Sequence, residues 1–145
     1  MLNRFLLLLL LATAALNAAI AAPLTVVKGD GRSLTLDVTV ADTAEKQRIG
    51  LMFVPTMPAG SGMIFPIAPP RQARFWMRNT MIPLDMIFIL PGGLIGQIVT
   101  RSDTQSDKVT ASLQPVSAVL EINAGAAQAL GITVGDIVRM DGVDF

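Results

Sequence analysis

Ser33-Leu34-Thr35-Leu36-Asp37-Val38-Thr39-Val40 alternates polar and apolar side chains at every step. A period of two puts the leucines and valines on one face of an extended chain and the polar residues on the other. This is a strand half in a core and half in water. Upstream, Leu24 to Lys28 is a short apolar run, and Gly29-Asp30-Gly31 between the two is a strong turn signal. The pair reads as a β-hairpin. Downstream, Asp42 or Thr43 caps a short helix to about Ile49, with Glu45 in its first turn and Gly50 as a left-handed stop.

Further along, strands continue to dominate. Gly60-Ser61-Gly62 introduces Met63-Ile64-Phe65, a short strand, and Pro66, Pro69 and Pro70 predict a fixed, non-regular connector. Arg71 to Arg78 can be extended. Leu84 to Leu90 is a nearly continuous apolar strand, turned by Pro91-Gly92-Gly93 into Leu94 to Thr100. Arg101 to Thr110 is polar and reads as a surface loop. Val116 to Ile122 is a strand, Asn123 caps a short helix of Ala124 to Leu130, and Gly135-Asp136 leads into a last strand, Ile137 to Met140. The expected fold is mainly β: six to nine strands and two short helices in a small β-sandwich or a partly open β-barrel.

The N-terminus predicts where the chain goes. Met1-Leu2-Asn3-Arg4 is a short basic start, Phe5 to Leu16 is apolar apart from Thr13, and Ala19-Ile20-Ala21 fits the A-x-A cleavage pattern. Residues 1–21 therefore read as a signal peptide and residues 22–145 as a single domain of about 124 residues, enough for one core. An uncleaved membrane anchor is the rival reading, although the apolar run is short for a membrane span and Pro23 follows it closely. The chain has no cysteine, so a lipid-anchored lipoprotein is excluded and the domain holds together by packing alone. The expected location is outside the cytoplasm, in the periplasm, with no stable membrane span after cleavage.

Composition narrows the chemistry. Formal charge is balanced, and without Arg4 the remainder is slightly acidic, so nucleic acid is not an expected partner. There is no His, Cys or Tyr. The common general base, the thiol nucleophile and nearly all zinc or iron sites go with them, and neither a cofactor nor a metal is expected. Catalysis would have to rest on Asp, Glu, Lys, Ser or Thr, or on a metal held by oxygen ligands.

One stretch stands apart. Phe75-Trp76-Met77-Arg78-Asn79-Thr80-Met81-Ile82-Pro83-Leu84-Asp85 mixes the only Trp with an Arg, an Asn and an Asp among large apolar residues. Such a mixture lines a pocket or locks a fold through a buried polar network. This block occurs in order with Gly50-Leu51-Met52, Gly62-Met63-Ile64-Phe65, Val119-Leu120-Glu121-Ile122-Asn123-Ala124-Gly125 and Leu130-Gly131-Ile132-Thr133-Val134-Gly135-Asp136. From about Leu24 to the C-terminus the chain thereby resembles the domain-of-unknown-function 192 family. The resemblance implies a compact, mainly β fold, often exported, and no established activity or substrate. Arg78 stands where the family also uses Lys; either keeps the positive charge.

If Arg71 to Arg78 is extended, Arg74, Trp76 and Arg78 share one side, and Phe75, Met77 and Asn79 the other. Two guanidinium groups flanking an indole suit a planar anion, and Asn79 and Asp85 can complete the site with an amide and an acceptor. Asp85 opens the most apolar strand, so an ionised carboxylate there needs a partner, with Arg78 or Arg74 the obvious one. The same pairing would serve equally as a structural lock. Glu121, at a strand end, is the remaining ligand-binding candidate, and with Asp85 it offers a carboxylate pair for a hydrolase.

Two further groups have mainly structural explanations. Met52, Met57, Met63, Met77 and Met81 offer soft sulfur for copper(I) but also suit an irregular core. Asp103-Thr104-Gln105-Ser106-Asp107 offers oxygens for calcium but lacks the closing Glu and the fixed Gly of a helix–loop–helix site. The leading expectation is a non-enzymatic binding or accessory module whose Arg74, Trp76, Arg78, Asn79, Asp85 and Glu121 take a small anionic or polar ligand. The others are an envelope interaction module in which the block is purely structural, and the hydrolase.

Overall fold

The computed structural model describes residues 20–145. The proposed leader falls almost entirely outside this range. Nine strands and two short helices are present among the described residues: β1 (Ala22–Val27), β2 (Ser33–Val40), α1 (Ala44–Ile49), β3 (Ser61–Arg71), β4 (Arg74–Phe75), β5 (Leu84–Ile89), β6 (Ile95–Arg101), β7 (Thr110–Ala111), β8 (Val116–Asn123), α2 (Ala126–Ala129) and β9 (Ile137–Arg139). Seven strands form one mixed sheet in the order β6-β5-β8-β3-β2-β1-β9, and β4 pairs with β7 in a small second sheet.

The hairpin is as the alternation predicts: β1 and β2 are antiparallel, with Leu24 opposite Leu36 and Val26 opposite Leu34. β2 then pairs with β3 in parallel, which obliges the chain to cross over between them. That crossover carries α1. Its N-cap is Thr43, whose hydroxyl accepts from the Lys46 amide at 3.1 Å. The Gln47 side chain ties the helix down, donating to the carbonyls of Ala41 and Pro66 at 3.1 and 2.7 Å.

Alternation along the strands sorts the core into two layers, one on each face of the sheet. All seven strands contribute to the first, through Leu24, Val26, Leu36, Val38, Ile64, Ile87, Ile95, Leu120, Ile122 and Val138. A single bridge between Leu94 and Ile137, next to the two edge strands, brings the sheet's edges together around this layer without closing a barrel. The second layer lies on the other face of β3, β5, β6 and β8 and holds Phe65, Met77, Leu84, Met86, Phe88 and Val119, with Leu51 and Ala73 from the loops above. With both faces covered, β5 and all but the last residue of β8 are buried. That explains why their sequences are continuous apolar runs and not alternations.

Three expectations need correction. β3 runs on through Pro66, Pro69 and Pro70, which had predicted a connector. Its pairing with β8 shifts register between Pro66 and Arg71, so Pro69 and Pro70 occupy a stretch where no ladder bond is demanded of them. Arg71 to Arg78 is not one extended segment, since β3 ends at Arg71, only Arg74–Phe75 is strand beyond it, and Asn79 just after is left-handed with φ 53°. Asn123 belongs to β8, where its side chain donates to the Met57 carbonyl at 2.8 Å; α2 is a single turn capped by Gly125.

Gly62 on β3 marks the tightest approach between the central strands. A Cβ there would sit 2.6 Å from the Glu121 carbonyl oxygen and 2.9 Å from Ile122 Cγ2. Backbone cannot retreat as a side-chain tip can, so Gly62→Ala is expected to cost about 2–3 kcal/mol in urea denaturation. A loss within about 0.5 kcal/mol of wild type, the range of ordinary surface substitutions, would contradict this packing.

Candidate functional site

A cleft of about 340 Å³ opens on the second-layer face of the sheet. One wall is the last turn of α1 and the residues after it, Gln47 to Met52; the other runs from Arg71 at the end of β3 through Gln72 and Ala73 to Trp76. Phe65, Ile67 and Glu121 lie between these walls. Phe65 and Phe75 meet edge to face, their centroids 5.1 Å apart. The second wall is fixed from behind: the Ser112 hydroxyl accepts from the Ala73 amide at 2.9 Å, and Gln72 Nε2 donates to the Ser112 carbonyl at 2.8 Å.

Glu121 is the unusual member. It is only 4% exposed, and its neighbours across the ladders are Met63 on β3 and Met86 on β5. Its carboxyl group makes no hydrogen bond or ion pair to any described residue, and burial pushes its pKa up from 4.5 to about 8. Burial therefore favours its neutral form well above the ordinary carboxylate range, and in that form it can donate one hydrogen bond and accept another. Three arginines, Arg48, Arg71 and Arg74, share the cleft with it. Arg71 and Arg74 have no carboxylate partner among the described residues; Arg48 reaches only Glu45, at 4.0 Å. Arg48 and Glu45 are both largely exposed, so this pair adds little to stability.

Trp76, 40% exposed, also lines the cleft. The Arg78 guanidinium covers one side of the indole, 3.8 Å from the ring centroid, and Arg78 Nε donates to Asp107 at 2.6 Å. This bond holds the Asp107 carboxyl below the ordinary carboxylate range and raises Arg78. The stack favours one orientation of the ring. Three loops are tied together alongside. The Phe53 amide donates to the Asn79 carbonyl at 2.9 Å, and the Gln105 amide to the Thr80 carbonyl at 3.0 Å. Phe53, Asn79 and Gln105 are the three non-glycine residues with positive φ among those described. Backbone strain of this kind collects where a surface must be held in shape.

The six sequence candidates thus separate. Arg74, Trp76 and Glu121 share the cleft; Arg78 acts on Trp76 from outside it, and Asn79 belongs to the loop clasp. Asp85 is elsewhere, 1% exposed, and pairs with neither Arg74 nor Arg78. Its Oδ1 accepts from Thr100 Oγ1 at 2.6 Å and its Oδ2 from the Ala127 amide at 2.9 Å, so it caps α2 from across the sheet. The expected Arg–Asp pair is replaced by hydroxyl and amide donors because the register turns Asp85 away from the arginines.

The same register removes the hydrolase arrangement. Asp85 is opposite Ile122 and Met86 opposite Glu121, so the two carboxyl groups lie on opposite faces of the sheet and cannot flank one bond. Of the five methionines, Met77 is fully buried and Met57 and Met63 pack against the second layer as core filling, whereas Met52 lines the cleft and Met81 is exposed. In the polar loop, the buried Arg101 organises the chain by gripping Asp103 with two bonds of 2.7 and 2.9 Å and donating to the Lys108 carbonyl and Thr110. Arg48, Arg71 and Gln47 had no sequence signal, because two elements distant in sequence, α1 and β3, bring them to the cleft.

A second depression, of about 640 Å³, shares Gln47, Ile67 and Arg71 with the cleft but carries Asp42, Asp141 and Asp144. Charge changes sign across Arg71.

Comparison with known proteins places this architecture. A structure from Sinorhizobium meliloti 1021, assigned provisionally as a transcription regulator, superposes with a TM-score of 0.80 at 33% identity, over 83% of this chain and 94% of that one. A protein of unknown function from Novosphingobium aromaticivorans DSM 12444 gives 0.78 at 38% identity, over 83% and 85%. No curated protein sequence matches. The model of the DUF192 family, an uncharacterized ACR, matches residues 25–140, essentially the whole described domain. The chain belongs to the DUF192 family.

Proposed function

We propose that this chain is an exported, non-enzymatic binding module that takes a small anionic ligand in the cleft between α1 and the Arg71–Trp76 wall. The observation that carries the reading is a cleft lined by Arg71 and Arg74, which have no carboxylate partner among the described residues, and by Glu121, whose carboxyl group makes no hydrogen bond to a described residue. Guanidinium groups bind carboxylates and phosphates bidentately, and a neutral acid supplies the donor that an anionic oxygen needs. The pocket volume falls at the lower end of the small-molecule range. Export rests on the A-x-A pattern at Ala19-Ile20-Ala21, directly before the first residue of β1.

Titration calorimetry at low ionic strength with citrate, glucuronate and inorganic phosphate tests the site. At least one of these is expected to bind wild type and to bind Arg71→Gln/Arg74→Gln at least tenfold more weakly. Both arginines are exposed, so the melting temperature of the double variant is expected within about 2 °C of wild type. Undiminished binding by the double variant, or no binding of any anion by wild type, would remove the cleft as the site.

A further inference from the structure

We propose that the ligand of this cleft is an acidic sugar, a polyhydroxylated ring carrying a carboxylate; this rests on the binding reading above. The cleft presents four kinds of surface together, and each matches one part of such a molecule. Arg71 and Arg74 offer forked donors to a carboxylate. Glu121, buried and unpartnered, offers a hydrogen-bonding group to a hydroxyl. The last turn of α1 lines the opposite wall, and the Gln47 and Arg48 carbonyls there accept no bond from any described residue. Such end-of-helix carbonyls accept from hydroxyl groups but not from a bare anion. Trp76 and Phe75 add aromatic surface for the apolar face of a ring.

Charge favours a carboxylate over a phosphate. The C-terminal end of a helix carries partial negative charge, and Asp42, Asp141 and Asp144 lie just beyond Arg71. A monoanion satisfies the arginines at lower repulsive cost than a dianion. A free phosphate would also offer no ring to Trp76 and Phe75. About 340 Å³ accommodates one or two sugar rings and excludes a folded protein surface.

The chain supplies its own reporter, because Trp76 is the only tryptophan. Intrinsic fluorescence of the full chain is titrated with glucuronate, with neutral glucose, with glucose 6-phosphate and with inorganic phosphate. The proposal expects a saturable change with glucuronate at concentrations at least tenfold below those needed for the other three. It also expects a loss of at least tenfold in that affinity for Arg74→Gln. Equal or tighter binding of glucose 6-phosphate or phosphate would overturn the sugar-acid assignment and leave an anion site standing. Equal binding of glucose would overturn the role of the carboxylate. Absence of a saturable response to all four, with no heat in calorimetry, would remove the anion site as well.

Discussion

Unfolding experiments are expected to show the chain losing up to about 5 kcal/mol of stability as pH rises from 4.5 to about 8. That figure is what it costs to move a carboxyl group between those two pKa values, and Glu121 is the group that moves. Below pH 4.5 it is protonated in the folded and unfolded chain alike. Between the two values only the unfolded chain ionises, so the unfolded state binds fewer protons and each step in pH favours unfolding. Above about 8 both states are ionised and the profile flattens. Asp30, Asp42, Asp103, Asp107 and Asp136, all held below the ordinary carboxylate range, act in the opposite sense and only at lower pH. They contribute stability above their unfolded pKa and lose it as pH falls, so the profile should peak near about pH 5. In Glu121→Gln the amide keeps the shape and never ionises. Urea denaturation should then give a nearly level profile from pH 5 to 8 and a more stable protein at pH 8. A wild-type slope in that variant would show that the pH dependence arises elsewhere.

Asp85→Ala is expected to cost about 3–4 kcal/mol, a large part of the stability of a domain this size. It removes both bonds to a carboxylate that is 1% exposed, and it leaves the buried Ala127 amide without its acceptor beside a cavity. At roughly 4 °C per kcal/mol for this chain length, the melting temperature should fall by about 12–15 °C. Asp85→Asn keeps one acceptor and should lose about half as much, and Thr100→Val, which removes a single donor, about 1 kcal/mol. Below its melting transition Asp85→Ala should still bind glucuronate within about twofold of wild type. A small stability loss joined to lost binding would instead make Asp85 part of the site.

The sequence carried strands better than it carried contacts between them. Alternation from Ser33 to Val40 and the glycine turn before it marked the hairpin, because both signals are local. The prolines after Phe65 misled, since whether a missing N–H breaks a strand depends on a register shift against β8, a strand distant in sequence. Asp85 was rightly singled out as a carboxylate in an apolar strand that needs partners. Its partners were misassigned because Arg74 and Arg78 are close in sequence, whereas facing is decided by the pleat. Glu121 carried the complementary signal, a charge inside the apolar run from Val116 to Ile122. Arg48 and Arg71 carried none: their importance comes only from the crossover that sets α1 over β3.

The two layers of the core give the molecule a division of labour with evolutionary weight. Residues of the first layer answer only to folding, whereas the cleft is built from side chains above the second. Substitutions at Arg48, Met52, Arg71, Arg74 and Trp76 can therefore accumulate while the curled sheet beneath them is untouched. A fold arranged in this way can vary the surface of its cleft without renegotiating how it folds, and directed libraries confined to those five positions should retain a high fraction of soluble, folded members.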